Sequence, residues 1–183
     1  MDTTDDMISK VMTVNLESHF WIVKEFLPAM IKKNDGYIVS IASMAGASGQ
    51  PYMTDYCASK FGAIGMMEAL RLELKRDNKN VKCLTVCPFY INTGMFDGVD
   101  TGSFFGFLDQ HHVVNRIINA IRQGEEQICL PWLQGPLVYI AKGIFGTAIG
   151  DQLVKLLVGW ETMANFTGRK ERNAIHATQV KKD

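Results

Sequence analysis

The residues whose types and spacing could do chemistry lie between Ser40 and Lys60, in the stretch SIASMAGASGQPYMTDYCASK. Tyr56 and Lys60 are four residues apart at the predicted start of a helix, so their side chains share one face. A free tyrosine titrates near pH ~10, and an ammonium group one turn away favours the phenolate and lowers the pKa. The pair is therefore a candidate general acid and base for proton exchange with an alcohol or a carbonyl.

A third candidate, Ser43, lies thirteen residues before Tyr56, at the carboxyl end of a predicted strand. Ligands bind at this edge of open parallel sheets, and a hydroxyl group there is able to donate to a carbonyl oxygen. A tyrosine and a lysine four residues apart are common by chance, and most such pairs are surface neighbours. Three further features favour catalysis: the serine spacing, the small residues on the same helix (Ala58, Ser59, Gly62, Gly65), and the strand end at Pro88 with Ile91 and Thr93 beyond it.

Apolar periodicity predicts the elements that position these residues. In chain order we expect a helix over 7–33 capped by Asp5 or Asp6, a strand over Tyr37–Ala42 buried on both faces, a helix over Asp55–Asp77 capped by Thr54 or Asp55, a strand over Val81–Cys87, a glycine-rich aromatic loop, a helix over Asp109–Arg122, and a strand over Glu126–Leu130. This alternation of helices and strands predicts a parallel sheet in an α/β fold.

The beginning of the sequence differs from that of a complete nucleotide-binding sheet. Such a sheet opens with a strand, a glycine-rich turn and a helix, whereas this sequence starts in a helix, and no G-x-G-x-x-G follows an early strand. We expect the C-terminal half of a doubly wound, Rossmann-like parallel sheet, followed by an apolar helical segment. The predicted divisions are a partial catalytic domain over 1–131, a substrate-covering or membrane-associated segment over 132–167, and a disordered basic tail over 168–183.

Composition narrows the function classes. Of the 183 residues 47% are hydrophobic, and 19 basic residues balance 19 acidic ones, which argues against disorder and against nucleic-acid binding by bulk charge. The four cysteines include no C-x-x-C pair, so we expect free thiols without a disulfide framework or a metal site. The first ten residues lack the basic region of a secretory signal. For the apolar C-terminal segment we favour an interfacial or substrate-covering helix over a transmembrane one.

Residues 14–93 resemble the short-chain dehydrogenase/reductase superfamily through the pattern S-x12-Y-x-x-x-K and the downstream P-x-x-I-x-T. The resemblance implies that Tyr56 exchanges a proton with the substrate and that Ser43 polarises the carbonyl group. It also implies that Lys60 lowers the pKa of Tyr56 and binds the nicotinamide ribose. Asn15 matches the helix asparagine that orders a water in a proton relay to the lysine.

The same resemblance implies NAD or NADP as the cofactor. Pro88, Ile91 and Thr93 match positions that contact the nicotinamide, together with Tyr56 and Lys60. The family usually has glycine after the proline, where this sequence has phenylalanine.

Four shorter segments resemble the membrane-associated retinol and 17β-hydroxysteroid dehydrogenase-like subgroup: Val14-Asn15, Phe26–Met30, Thr93–Phe96 and Ile128–Pro131. This implies a retinol-like or steroid-like alcohol as the substrate. It also implies a homodimer formed through the two long helices. The location it implies is the cytosolic side of the endoplasmic reticulum membrane or the surface of lipid droplets, with peripheral association, or otherwise the cytoplasm.

Two interpretations of the missing nucleotide-binding half remain open. The chain is either a truncated form of a working oxidoreductase or a short, inactive isoform that acts as a dimerisation or lipid-surface binding module. Without the phosphate-binding turn at a helix N-terminus, we expect the isolated chain to bind nicotinamide nucleotides poorly.

Overall fold

The computed structural model describes residues 3–96, 98–101 and 106–166 and forms an α/β layered arrangement. The elements are α1 (Asp5–Met12), a π-helical turn (Thr13–Glu17), α2 (Ser18–Lys33), β1 (Gly36–Ile41), a 3₁₀ turn (Met44–Gly46), α3 (Thr54–Arg76), β2 (Val81–Pro88), α4 (Gln110–Gln123), β3 (Gln127–Leu130) and α5 (Gln134–Leu157). The predicted tail over 168–183 lies outside the described residues.

The three strands form one parallel sheet in the order β1-β2-β3. The register places Ile41 opposite Val86 and Cys87 opposite Cys129. The carboxyl ends of the strands therefore meet at one edge, as the sequence predicted, and this is the edge at which α/β proteins bind ligands.

Alternate side chains of β2 face opposite helical layers because strand side chains alternate with a period of two. Val81 and Cys83 pack with residues of α2 and α3, whereas Leu84 and Val86 pack with residues of α4. Both faces of β2 are therefore covered, which explains its nearly continuous apolar sequence.

The helix predicted over 7–33 is interrupted. The π-helical turn separates α1 from α2, and the N-cap is Thr4, whose hydroxyl accepts a hydrogen bond from the Met7 N–H at 3.3 Å. The prediction of Asp5 or Asp6 as the cap was wrong because both carboxylates lie in the first turn. Asn15 lies within the π-helical turn, a feature that often occurs at functional sites.

The π-helical turn changes which face of the helix is buried. In α2, Ile22 and Phe26 are 56% and 58% exposed, while Val23, Leu27 and Met30 pack with residues of α3 and the sheet. One extra residue in the turn rotates the following side chains by about 100°, which is one residue's share of a helical turn.

Two other local predictions need correction. Of β1, predicted to be buried on both faces, only Ser40 is buried, since β1 is an edge of the described sheet. The N-cap residue of α3 is Met53, and Asp55 accepts a hydrogen bond from the adjacent Tyr56 N–H at 2.8 Å. Position and burial at a sheet edge depend on neighbours that local sequence does not specify.

The N-terminus of α4 offers a direct test of the fold. The Asp109 side chain caps it by accepting a hydrogen bond from the His112 N–H at 2.8 Å. Asp109→Ala removes this acceptor, and we expect a loss of about 1 kcal/mol in the free energy of unfolding, measured with urea. Asp151→Ala, at an exposed position of α5, is the control and should change it by less than about 0.5 kcal/mol. Equal effects would contradict the capping role.

The C-terminal apolar segment forms α5, and within the described ranges it is the one helix long and apolar enough to cross a membrane. It contains 24 residues, and 22% of its most apolar window is buried. Gly146 has φ 76° and ψ −178°, so the helix is broken there into two shorter parts.

Candidate active site

A cavity of about 300 Å³ opens at the carboxyl edge of the sheet. Its wall includes every site residue predicted from the sequence: Asn15, Ser43, Tyr56, Lys60, Pro88, Ile91 and Thr93. These residues come from the π-helical turn, the N-cap of the 3₁₀ turn, α3, the end of β2 and the segment after it. The fold thus brings together side chains that are up to 78 positions apart.

Ser43 is positioned by the short turn that follows β1. It caps the 3₁₀ turn, since its hydroxyl oxygen accepts a hydrogen bond from the Ala45 N–H at 3.1 Å. The hydroxyl also lies 3.5 Å from the Pro88 carbonyl oxygen, to which it donates. The turn and the end of β2 together hold this hydroxyl group at the cavity.

Tyr56 occupies the first turn of α3, and its phenol lies beside Ser43. Burial raises the pKa of Tyr56, while a hydrogen bond with the Ser43 side chain acts in the opposite direction. The sequence argument predicted a lowered pKa through Lys60, and this direction was wrong. Burial has the larger effect because it disfavours the phenolate.

Lys60 lies one turn further along α3 and is 9% exposed. Its Nζ donates a hydrogen bond to the Ile41 carbonyl oxygen at 3.0 Å and lies 5.6 Å from the centre of the Tyr56 ring. Burial lowers the pKa of Lys60 because the charged form loses solvation. The ammonium group is thereby fixed between the end of β1 and the phenol ring.

Asn15 is held by α3 as well. Its Nδ2 donates a hydrogen bond to the Ser59 hydroxyl at 3.2 Å, and that hydroxyl donates to the Tyr56 carbonyl oxygen at 2.7 Å. The small residues of α3 allow this approach: a Cβ added at Gly62 would lie 2.7 Å from a methyl carbon of Leu16. The asparagine is thus tied to the tyrosine-bearing turn.

The segment after β2 forms another part of the wall. The backbone N–H of Phe89 donates to the Leu130 carbonyl oxygen at 2.7 Å, so this N–H group is engaged with the end of β3. The Phe89 ring packs edge-to-face on Tyr90, whose ring contacts Phe96 at a centroid distance of 5.0 Å. Phenylalanine after the proline therefore contributes an aromatic cluster.

Several wall residues were not predicted from the sequence. Four of them are apolar or aromatic and three are polar: Met53, Tyr90, Phe96 and Val158, and Ser48, Gln50 and Gln134. The aromatic composition of 89–107 was a signal for part of this wall. The two residues from the C-terminal segment reach the cavity only through tertiary packing.

Tyr90 gives this wall a testable pH dependence. Burial is the main cause that raises the pKa of Tyr90 from 10.0 to about 12. The stabilisation from its neutral phenol is complete below pH 10 and is lost as pH rises through 12, because the unfolded chain releases the proton first. Relative to Tyr90→Phe, the wild-type free energy of unfolding should fall by about 1.4 kcal/mol between pH 9 and 11, measured with urea. A difference independent of pH would contradict the burial of this phenol.

The thiol groups of the chain are free, and no cluster able to hold a metal ion occurs in the part of the chain that the structure describes. Cys87 and Cys129 lie opposite each other on β2 and β3. Their mutual hydrogen bond is the largest cause that raises the pKa of Cys87 and lowers that of Cys129.

Comparison with curated proteins finds retinol dehydrogenases among the relatives of this chain. Epidermal retinol dehydrogenase 2 of Mus musculus is 37% identical over 175 residues, which cover 94% of this chain and 56% of that protein. Retinol dehydrogenase 10-B of Danio rerio is 42% identical over 136 residues, which cover 72% of this chain and 40% of that protein. The chain thus spans about half the length of the curated relatives it matches.

The fold is also similar to that of solved structures, again over part of their length. A short-chain dehydrogenase from Sphingobium yanoikuyae, solved in complex with NADPH, superposes with a TM-score of 0.62 at 21% identity, covering 70% of this chain and half of that one. The predicted partial, Rossmann-like α/β fold is confirmed. The family model described as short chain dehydrogenase matches residues 1–103. With this match and the parallel sheet, the chain belongs to the short-chain dehydrogenase family.

Proposed function

We propose that the protein is an NAD- or NADP-dependent oxidoreductase that interconverts a lipophilic alcohol and its carbonyl compound. The observation that carries this proposal is the shared cavity, in which a buried phenol, a serine hydroxyl and a lysine ammonium group lie beside an apolar wall. Family membership adds support, because the relatives named above are retinol dehydrogenases.

The donor set of the cavity fits the nicotinamide riboside part of such a cofactor. Lys60 offers an ammonium group for ribose hydroxyls, and Asn15, Ile91 and Thr93 line the same cavity. When bound, the cofactor supplies or accepts the hydride. The pyrophosphate needs a glycine-rich turn at a helix N-terminus, and the described residues do not provide one after an early strand.

The roles of the side chains follow from their contacts. In alcohol oxidation the Tyr56 phenolate takes the hydroxyl proton, and in carbonyl reduction the phenol returns it. Ser43 donates a hydrogen bond to the same substrate oxygen and holds it beside the phenol. Lys60 stabilises the phenolate electrostatically from its fixed position on Ile41. Asn15, bonded to Ser59, keeps the π-helical turn and the tyrosine-bearing turn together. By the family resemblance, we propose that it also orders a water molecule in a proton relay to Lys60.

Substrate oxidation by the intact protein is the direct test. With all-trans-retinol and NAD or NADP, we expect an increase in absorbance at 340 nm and formation of the aldehyde, measured by chromatography. Absence of both with retinol and with steroid alcohols would contradict the proposal.

The exposed apolar side chains favour a peripheral membrane location and a homodimer. We place α5 at the cytosolic surface of the endoplasmic reticulum or of lipid droplets, because Ile140, Ile144, Phe145 and Ile149 are all more than half exposed on a broken helix. On α2, Trp21 and Ile22 are also more than half exposed, and we infer that the helices before β1 pair with α3 of a second copy.

A further inference from the structure

Cys87 and Cys129 are two thiols that the proposed mechanism does not use. They are register partners on the parallel strands β2 and β3, and both side chains pack in the apolar cluster that contains Val138 of α5. Neighbouring strands lie ~4.7–4.9 Å apart, inside the Cα–Cα range of ~4.4–6.8 Å that disulfide bonds span. The two thiols also share a hydrogen bond. The backbone therefore already meets the distance requirement of a disulfide bond.

Cys129 is the more accessible and the more acidic thiol of the pair. All four cysteines lie within the described ranges, and Cys129 is the one that is not buried. Its pKa is lowered mainly by the hydrogen bond with Cys87, whose own pKa that bond raises. This is the direction expected when the Cys87 S–H donates to a Cys129 thiolate. Because oxidants attack the thiolate form, Cys129 is the thiol that reacts first.

The start of α5 also favours a thiolate at this position. A Cβ added at Gly135, in the first turn of α5, would collide with the Cys129 Sγ and lie 2.8 Å from the Cys129 Cβ. The sulfur atom therefore lies directly against the helix backbone, in space that glycine leaves free. The unpaired N–H groups of a first helical turn carry partial positive charge, which lowers the pKa of a nearby cysteine. Hydrogen bonding and position at the helix thus favour the same ionised thiol.

The other two cysteines lack this arrangement. Cys83 lies four residues before Cys87 on β2, ~13 Å away along the strand, and its register partner on β1 is Ile38. Burial is the main cause that raises the pKa of Cys83 to about 11. Cys57 is buried in α3, and burial is also the main cause that raises its pKa. Both thiols therefore resist oxidation more than Cys129 does.

We propose that Cys129 and Cys87 form a peroxide-sensitive modification site, at which a disulfide bond joins β2 to β3. The Cys129 thiolate attacks a hydroperoxide and becomes a sulfenic acid, while the other oxygen of the broken O–O bond takes a proton and leaves as water or an alcohol. The Cys87 thiol then attacks the sulfenic sulfur, the S–S bond forms, and the hydroxyl group leaves with the thiol proton as water. The two thiols lose two electrons and the peroxide gains them. A dithiol reverses the reaction by exchange.

Mass spectrometry of the intact protein after treatment with hydrogen peroxide tests this site. It needs neither cofactor nor substrate, so its result does not depend on the proposed function. After the peroxide is removed, the remaining thiols are alkylated with iodoacetamide in urea. Of the four cysteines in this sequence, we expect the number alkylated to fall to two, with Cys87 linked to Cys129, and to return to four after dithiothreitol. Absence of this link in the folded protein, or a link through Cys57 or Cys83, would overturn the proposal.

Three variants separate the roles of the two thiols. Cys87→Ala leaves Cys129 without a partner, so its sulfenic acid should persist and be labelled by dimedone. Cys129→Ala removes the reacting thiol, and dimedone labelling of Cys87 in this variant would overturn the assignment of Cys129 as the first to react. Cys83→Ala, on the same strand, is the matched control and should form the disulfide to the wild-type extent. The wild-type mapping requires no variant, so it decides whether the bond forms even where a variant fails to fold.

Discussion

Tyr56→Phe should lower the turnover number of the intact protein by about a thousandfold, within the range that general acid–base catalysis contributes. The substitution removes one oxygen atom and leaves the ring in the first turn of α3, so the cavity keeps its shape. Affinity for cofactor and substrate should change by less than about threefold, since only one hydrogen bond is removed. Steady-state kinetics and calorimetric binding measure the two effects separately.

The control for this variant is Tyr52→Phe. Tyr52 is 68% exposed and donates a hydrogen bond to Glu161, outside the cavity wall. The Tyr52→Phe variant should retain wild-type turnover, whereas undiminished turnover of Tyr56→Phe would contradict the proposed mechanism.

The pKa of Tyr56 is raised, so wild-type alcohol oxidation should accelerate as pH rises from 7 to 10, because only the phenolate accepts the proton.

Gly46→Ala should reduce both stability and turnover. A Cβ at this position would lie 2.6 Å from the Lys60 carbonyl oxygen and 2.8 Å from its carbonyl carbon. These are backbone atoms of α3, so the turn that carries Ser43 must move away from the helix that carries Tyr56. We expect a loss of about 2–3 kcal/mol in the free energy of unfolding, as for other overpacked positions. Turnover at a temperature where the variant is folded should fall by about a hundredfold, as expected when a reacting group is displaced by ~1 Å.

Gly49→Ala provides the matched control for this close approach. Gly49 follows the same turn, and an added Cβ there has no neighbour within 4 Å in the described structure. Its free energy of unfolding should stay within about 0.5 kcal/mol of wild type. If urea unfolding shows the two alanine variants to be equally stable, the turn does not pack on α3 as described.

The candidate catalytic residues were predictable because their signal is local. The Tyr56–Lys60 spacing needs only the geometry of one helix, and Ser43 and Pro88 each follow a recognisable strand. The interrupted first helix was not predictable in this way. Its π-helical turn contains Asn15, which donates a hydrogen bond to Ser59 of α3. After this turn Val23 packs on the core while Ile22 is exposed.

The electrostatics of the site also depended on distant packing. Sequence spacing correctly places Lys60 near Tyr56, but the direction of the pKa change follows from how deeply the phenol is buried. Met53 and Tyr90 contribute to that burial, and Tyr90 comes from the segment after β2. A pairwise argument from one helix does not include that desolvation.

The order of elements, the parallel sheet and the candidate acid–base residues were determined by the sequence itself, since each arises from short-range periodicity and spacing. Only the tertiary structure decided that Asn15, Ser43 and Tyr56 share one cavity, and that burial is the main influence on the pKa of Tyr56. It also decided that the first residue of α5, Gln134, is a buried glutamine that lines the cavity. The physical reason is that desolvation and hydrogen-bond satisfaction are sums over neighbours far apart in the chain, which no local pattern encodes.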